Sequence, residues 1–230
     1  MRNFMNMIKE CPLFQNIGED ELSAILGCLS ARRLSFEKGQ YIFDEGDPAK
    51  QIGIVLSGAV MISRDDYYGN RTLLGQLEPG DLFGESFAFA GVDTLPVSIV
   101  ATSTCDVMLI DSYRIISPCS NACGFHTKLI FNLLQIMARK NLGFHRKIEI
   151  TSKRTTREKL MTYLLLQAKE EGRADFTIPF DRQGLADYLE VDRSGLSAEM
   201  SKLKKEGVLD YHKSHFHLLR VPQPNHEEPT

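Results

Sequence analysis

No stretch of the 230 residues reaches the run of about 20 apolar side chains that a membrane-spanning helix needs, so no such helix is expected. The opening segment MRNFMN lacks the apolar core of a secretory signal, and a cytoplasmic location without membrane partners is expected. Cysteine is scarce. The five present, Cys11, Cys28, Cys105, Cys119 and Cys123, are an odd number in a chain large enough to build a core unaided, which argues against a disulfide scaffold and for reduced thiols. A large excess of one charge is also missing: the net charge is −3, so any nucleic-acid face must be a local patch. Nucleophile elbow, phosphate loop, paired-carboxylate signature and dinucleotide fingerprint are all absent, and no enzyme is expected. With 43% hydrophobic and 25% charged residues, disorder is not the default reading.

What is there begins with an all-β rhythm over residues 34–111. Short β-branched and apolar runs (40–43, 52–56, 59–63, 98–101 and 107–110) are broken by Gly39, Gly46, Gly53, Gly58, Gly69, Gly75, Gly80 and Gly84. Glu45-Gly46-Asp47 and Pro79-Gly80-Asp81 are turn formers, because Gly accepts positive φ and Asp bonds its own backbone. Many short strands at close spacing point to a barrel or roll. A helix over 19–29 precedes it, with acids in its first turn.

After Pro118 the period changes. A helix over about 125–150 carries Ile130, Leu134, Met137, Asn141, Phe144 and Ile148 at alternating spacings of four and three, the seam of a two-chain coiled coil in which Asn141 fixes register. Its length, far above that of an average helix, favours a homodimer over packing within one domain. The polar, basic block 151–157 interrupts the pattern. The expected division is therefore a sensor roll over 1–120, a dimerisation helix and hinge over 121–152, and a third part over 153–230.

That third part opens with an amphipathic helix over 156–169 and a short strand over 176–180. The segment DRQGLADYLEVDRSGLSAEMSKLKKEGVLDY then parses as helix 182–189, turn 190–192, helix 193–206 and a glycine-led strand: a helix-turn-helix with a wing. Asp181 and Asp192 are placed to cap the two helices and Gly207 to end the second. Leu185, Ala186, Leu189, Val191, Leu196, Met200 and Leu203 interlock the helices, which leaves Arg193, Ser194, Ser197, Lys202, Lys204 and Lys205 facing out. The first residues of such a second helix meet base edges of double-stranded DNA, and the Arg193 fork suits guanine O6 and N7. Basic residues exceed acidic ones by only two between 193 and 217, so affinity must rely on dimerisation.

FEKGQYIFDEGDPAKQIGIVLSGAV, LEPGDLFGESFAF, QIMARKNL and the helix-turn-helix segment together resemble the CRP/FNR superfamily of bacterial transcription regulators along almost the whole chain. The resemblance implies an α+β fold: an N-terminal double-stranded β-helix (jelly roll) of the cyclic-nucleotide-binding type, a long dimerisation helix and a C-terminal winged helix-turn-helix. It implies a homodimer on a two-fold symmetric DNA site, with RNA polymerase as a further partner. By position, Arg193, Ser194 and Ala198 lie against bases, and Arg182, Gln183 and His212 approach phosphates. The best-known members carry Glu and Arg where this chain has Ser194 and Ala198, which leaves the operator sequence open.

The resemblance also bears on the signal. The cyclic-nucleotide branch pairs Gly-Glu, for the ribose, with Arg-Ser or Arg-Thr, for the phosphate. Gly84-Glu85 is present here, but Leu95-Pro96 occupies the second place and offers the phosphate neither charge nor donor. Phe144 and His145 replace the hydroxyl pair that meets the adenine. Cyclic-nucleotide control is therefore not expected, and Glu85, Leu95, Pro96, Phe144 and His145 outline a site for a less charged effector, unless Glu85 only shapes a turn. An iron-sulfur cluster, as in the oxygen-responsive branch, is not expected either, because only Cys11 precedes the roll's first helix. Cys119 and Cys123, beside His126, are either a redox or metal switch acting on the dimer helix or reduced thiols without a regulatory role. The alternatives are a regulator without an effector, whose roll is only a scaffold for dimer or polymerase contacts, and, against the reading above, a cyclic-nucleotide-responsive regulator.

Overall fold

In the computed structural model the described residues are 2–65, 71–117 and 124–219. They fall into two compact units, 1–139 and 140–230. Unit one opens with α1 (Arg2–Glu10), a 3-10 turn (Pro12–Phe14) and α2 (Glu19–Cys28). Eight strands follow: β1 (Arg32–Phe36), β2 (Tyr41–Phe43), β3 (Gln51–Ser57), β4 (Val60–Asp65), β5 (Arg71–Leu77), β6 (Leu82–Phe83), β7 (Ser98–Ala101) and β8 (Cys105–Asp111). α3 (Glu85–Ala90) sits between β6 and β7, and α4 (Ser112–Ile116) follows β8. The strands form two four-stranded antiparallel sheets, ordered β1-β8-β3-β6 and β2-β7-β4-β5.

One apolar cluster draws on both sheets, with Phe43, Val55, Val60, Phe83, Ile99 and Val107. A second joins the first sheet to the helices through Ile52, Ile54 and Leu56 of β3, Ile25 of α2 and Phe125 and Leu129 further along. β3 is thus buried on both faces, which is why it reads as an unbroken apolar run and not as an alternating one. The glycines do not all mark turns: Gly53 and Gly75 lie inside β3 and β5. At Gly53 the reason is close approach. A Cβ there would lie 1.9 Å from Cζ of Phe83, its cross-strand partner, so the phenyl ring occupies the space a side chain would need.

Polar anchors fix the strand edges. The Asp106 carboxylate on β8 accepts from Ser35 Oγ at 2.5 Å, Arg33 Nη2 at 2.6 Å and Ser57 Oγ at 3.4 Å, tying β1 and β3 to β8. These hydrogen bonds, Ser35 first and then Arg33, hold its pKa below the usual carboxylate value.

α5 (Gly124–Thr151) is continuous across the division. Phe125, Leu129, Leu133 and Ile136 pack in unit one, where buried Asn132 donates to the carbonyls of Leu13 and Gln15 at 3.0 and 2.8 Å. Ile150, fully buried, packs in unit two. Most of the segment expected as dimerisation helix and hinge, 121–152, is thus this one helix, with residues in the cores of both units.

Unit two continues with α6 (Thr156–Glu171), β9 (Asp175–Thr177), α7 (Arg182–Leu189), α8 (Arg193–Lys205), β10 (Leu209–His212) and β11 (His215–Leu218). α6 starts in a Thr155/Glu158 capping box. The strands make an antiparallel sheet ordered β10-β11-β9 whose inner face, with Phe176, Phe216, Leu209 and Leu218, covers the three helices. β9 stops at Thr177, short of the expected 180: the Ile178 amide still donates to Ser214 O, but Pro179 has no amide to continue the ladder.

A candidate nucleic-acid interface

α7 and α8 form the helix-turn-helix with the expected caps. Asp181 accepts from the Gly184 amide at 2.7 Å and Asp192 from the Gly195 amide at 2.8 Å. Leu185, Ala186, Leu189, Leu196, Met200 and Leu203 are buried in the unit's core, and Val191 packs against it. Gly207, at φ 66, takes the left-handed conformation just past α8. Ser194 Oγ also bonds the Asp192 carboxylate, and this bond, ahead of the Gly195 amide, lowers the Asp192 pKa. The carboxylate at the start of α8 is thereby held by its own helix.

Arg193, Ser194, Ala198 and Lys202 are exposed or half-buried on the outer side of α8, and the Ser197 hydroxyl donates to Arg193 O at 2.9 Å. Arg193 shares a hollow of about 550 Å³ with Arg182, Gln183, Asp181, Lys213 and Ser214. Three separate pieces of chain, the starts of α7 and α8 and the β10–β11 turn, thus converge on one surface rich in donors. Lys213 and Ser214 were not among the expected site residues. Their signal was a lysine in the two-residue turn set by the His212–His215 pairing, where Lys213 adopts φ 54.

The other expected contacts sit around this surface. Arg182 lies with its guanidinium carbon 5.1 Å above the Tyr211 ring and an Nη against Met200 Sδ. Gln183 donates to Asp187 at 2.8 Å. His212 lines a different hollow, of about 350 Å³, with Lys204, Asp210, His215 and His217. There His215 and His217 both meet the Asp175 carboxylate, at 3.0 and 3.2 Å. Sequence reading also missed Arg157 of α6, which bridges Glu199 of α8 at 3.4 Å and Glu206, the residue after α8, at 2.6 Å and so offsets part of the negative charge on that side of the helix.

In unit one, Glu85 is buried as the first residue of α3, after Gly84 at φ 80, and accepts from Ser86 Oγ at 3.2 Å. Leu95 is buried in the roll core and Pro96 is exposed. Phe144 and His145 are exposed on α5 within unit two. Along the same helix Leu134, Phe144 and Ile148 are 60%, 65% and 63% exposed and Asn141 is exposed, whereas Ile130 is half-buried and Met137 packs against the core of unit one. Phe131 and Leu142, exposed as well, widen the apolar stripe beyond the expected positions.

Cys119 and Cys123 lie outside the described residues. His126 is buried beside Phe125, and its Nδ1 has no hydrogen-bond partner among the described residues. Among the described residues no three His, Cys, Asp or Glu side chains are arranged to hold a metal, and no helix is long and apolar enough to cross a membrane.

A roll joined by a long helix to a winged helix-turn-helix defines a class of DNA-binding regulator, and comparison with known proteins gives the family. The family model "Cyclic nucleotide-binding domain" matches residues 33–117 and "Crp-like helix-turn-helix domain" matches 158–224. Transcriptional activator protein anr of Pseudomonas aeruginosa is 25% identical over 190 residues, covering 80% of this chain and 75% of its own. cGMP-dependent protein kinase 2 of Mus musculus is 24% identical over 89% of this chain, which spans only about a quarter (26%) of the kinase. A solved structure of CprK complexed with OCPA shares the fold, with TM-score 0.65 at 13% identity over 86% of this chain and 89% of that one. The chain belongs to the CRP/FNR superfamily of bacterial transcription regulators.

Proposed function

We propose that the chain acts as a homodimeric, sequence-specific DNA-binding transcription regulator, reading a two-fold symmetric operator with the N-terminal end of α8. The observation that carries this is the hollow that brings Arg193 together with Arg182, Gln183, Lys213 and Ser214: one exposed fork for base edges, flanked by donors for phosphates. Ser194, Ser197 and Ala198 form the rest of the base-facing surface, and Lys202 and His212 extend the phosphate contacts. The exposed stripe Leu134, Asn141, Phe144 and Ile148, with Ile130 and Met137 at its edge, supplies the dimer seam.

The signal in this reading is a small molecule other than a cyclic nucleotide, or the thiols Cys119 and Cys123. Leu95 supports the first part: it is packed among the roll's own apolar residues and brings no charge to a phosphate. The regulator then works in the cytoplasm with RNA polymerase as its partner.

Operator selection from a random DNA pool at fixed salt, under reducing and oxidising conditions, tests the reading. A two-fold symmetric motif is expected. Arg193→Ala should lose about 1–3 kcal/mol of discrimination at one base position of each half-site, while Lys213→Ala should weaken all sequences alike and lower the salt slope by about one. No motif in either condition, with or without added cell extract, would overturn the proposal.

A further inference from the structure

The last turns of α5 do more than fill the core of unit two. The Lys147 ammonium donates to the carbonyl of Tyr188, lies 3.4 Å from Glu190 Oε1 and sits 4.5 Å from the centre of the Tyr188 ring. All three contacts fall on the C-terminal end of α7 and the turn that follows. A helix C-terminus presents carbonyls without partners and partial negative charge, so an ammonium there is favoured on both counts. The turn is otherwise expensive: Glu190, a residue with a side chain, is held left-handed at φ 54 while its amide and that of Val191 close back on α7. A second ammonium, Lys159 of α6, donates to Glu190 O at 3.3 Å. Two helices thus each send a lysine to the same turn, one that hands the chain directly to the Asp192 cap and to Arg193.

Because α7 and α8 share one buried core, whatever holds this turn holds both helices. Tyr188 reinforces the hold, since its ring packs against Phe180 at 4.9 Å and Tyr163 at 5.3 Å.

We infer that Lys147 is a positioning residue that fixes the helix-turn-helix at one angle on the end of α5, and so sets the half-site spacing the dimer accepts. The inference rests on the proposed DNA-binding reading. With its ammonium committed to Tyr188 and Glu190, Lys147 is not spent on phosphate; it acts through the turn.

The test uses the full-length protein and a set of operators with identical half-sites whose centre-to-centre spacing varies by single base pairs. The wild type should favour one spacing. Lys147→Met should compress that preference by at least about threefold, with the salt slope unchanged, because the angle loosens while the phosphate contacts remain. Lys147→Arg, which keeps the charge and donors, should restore the preference. Glu190→Gln, which removes one of the three contacts, should compress it less, and serves as the readout should Lys147→Met fail to fold. An equal loss at every spacing, no change, or a salt slope lower by about one would each overturn the inference. Failure of the wild type to bind any of the set would instead overturn the DNA-binding reading on which it rests.

Discussion

At the scale of single residues, two kinds of position carry most of the specification. Asp181, Asp192 and Gly207 act locally, and their effects are written in the sequence because a cap needs only the amides within its own first turn. Gly53 acts at a distance. Its role depends on Phe83, thirty positions on, being brought opposite it by the pairing of β3 with β6. Gly53→Ala should therefore destabilise the roll by about 1–3 kcal/mol through overpacking against the Phe83 ring. Gly75→Ala, in a strand where an added Cβ meets nothing within 4 Å, serves as the comparison. Thermal denaturation of both variants checks this, and equal melting temperatures would remove the steric account of Gly53.

At the scale of elements, α5 joins two demands in one helix. Its inner side carries Phe125, Leu129, Leu133 and Ile136 into one core and Ile150 into another, while Phe131, Leu134, Leu142, Phe144 and Ile148 stay exposed. Apolar residues this numerous on an exposed stripe call for a partner surface. The double substitution Leu134→Glu, Ile148→Glu should give a folded monomer, with unchanged helical circular dichroism and half the mass by analytical ultracentrifugation, and should abolish operator binding. A dimer that survives it would move the interface elsewhere. The apolar stripe was legible as a period but not as a face. Its 3-4 spacing also takes in Met137, which packs against the core of unit one, because which side of a helix stays exposed depends on what the rest of the chain covers.

At the scale of the whole molecule, the pH profile of stability follows from where titratable groups are held. Asp106 in unit one and Asp192 and Glu206 in unit two all have lowered pKa values, for hydrogen-bonding reasons: Ser35, Ser194 and Arg157 are the first causes. A carboxyl whose folded pKa is depressed contributes stability above its unfolded value and loses it as pH falls through the folded one. Burial raises the Cys11 thiol from 9.0 to about 11 and the Tyr163 phenol from 10.0 to about 12. These groups favour the folded state below their unfolded pKa values, and that contribution declines as pH rises from about 9 toward 12. Urea midpoints should therefore fall on the acid side below the ordinary carboxylate range and again on the alkaline side. Asp106→Asn should lower the midpoint at neutral pH while flattening the acid limb; an acid limb as steep as that of the wild type would assign acid sensitivity to other carboxylates.

The sequence by itself determined the main strands and long helices, though not α3 inside the stretch read as all-β, together with the helix caps, the interlocked helix-turn-helix and the exposure of Arg193, since each depends on neighbours within a few residues or on a simple period. The tertiary structure alone decided that β3 is buried on both faces, that Arg157 is spent on Glu199 and Glu206, and that Lys213 and Ser214 join Arg182 and Arg193 in one hollow. It also decided that Lys147 reaches the turn after α7, forty-one positions on. These contacts join residues distant along the chain, and only the packing of sheets and helices on shared cores fixes which distant residues meet.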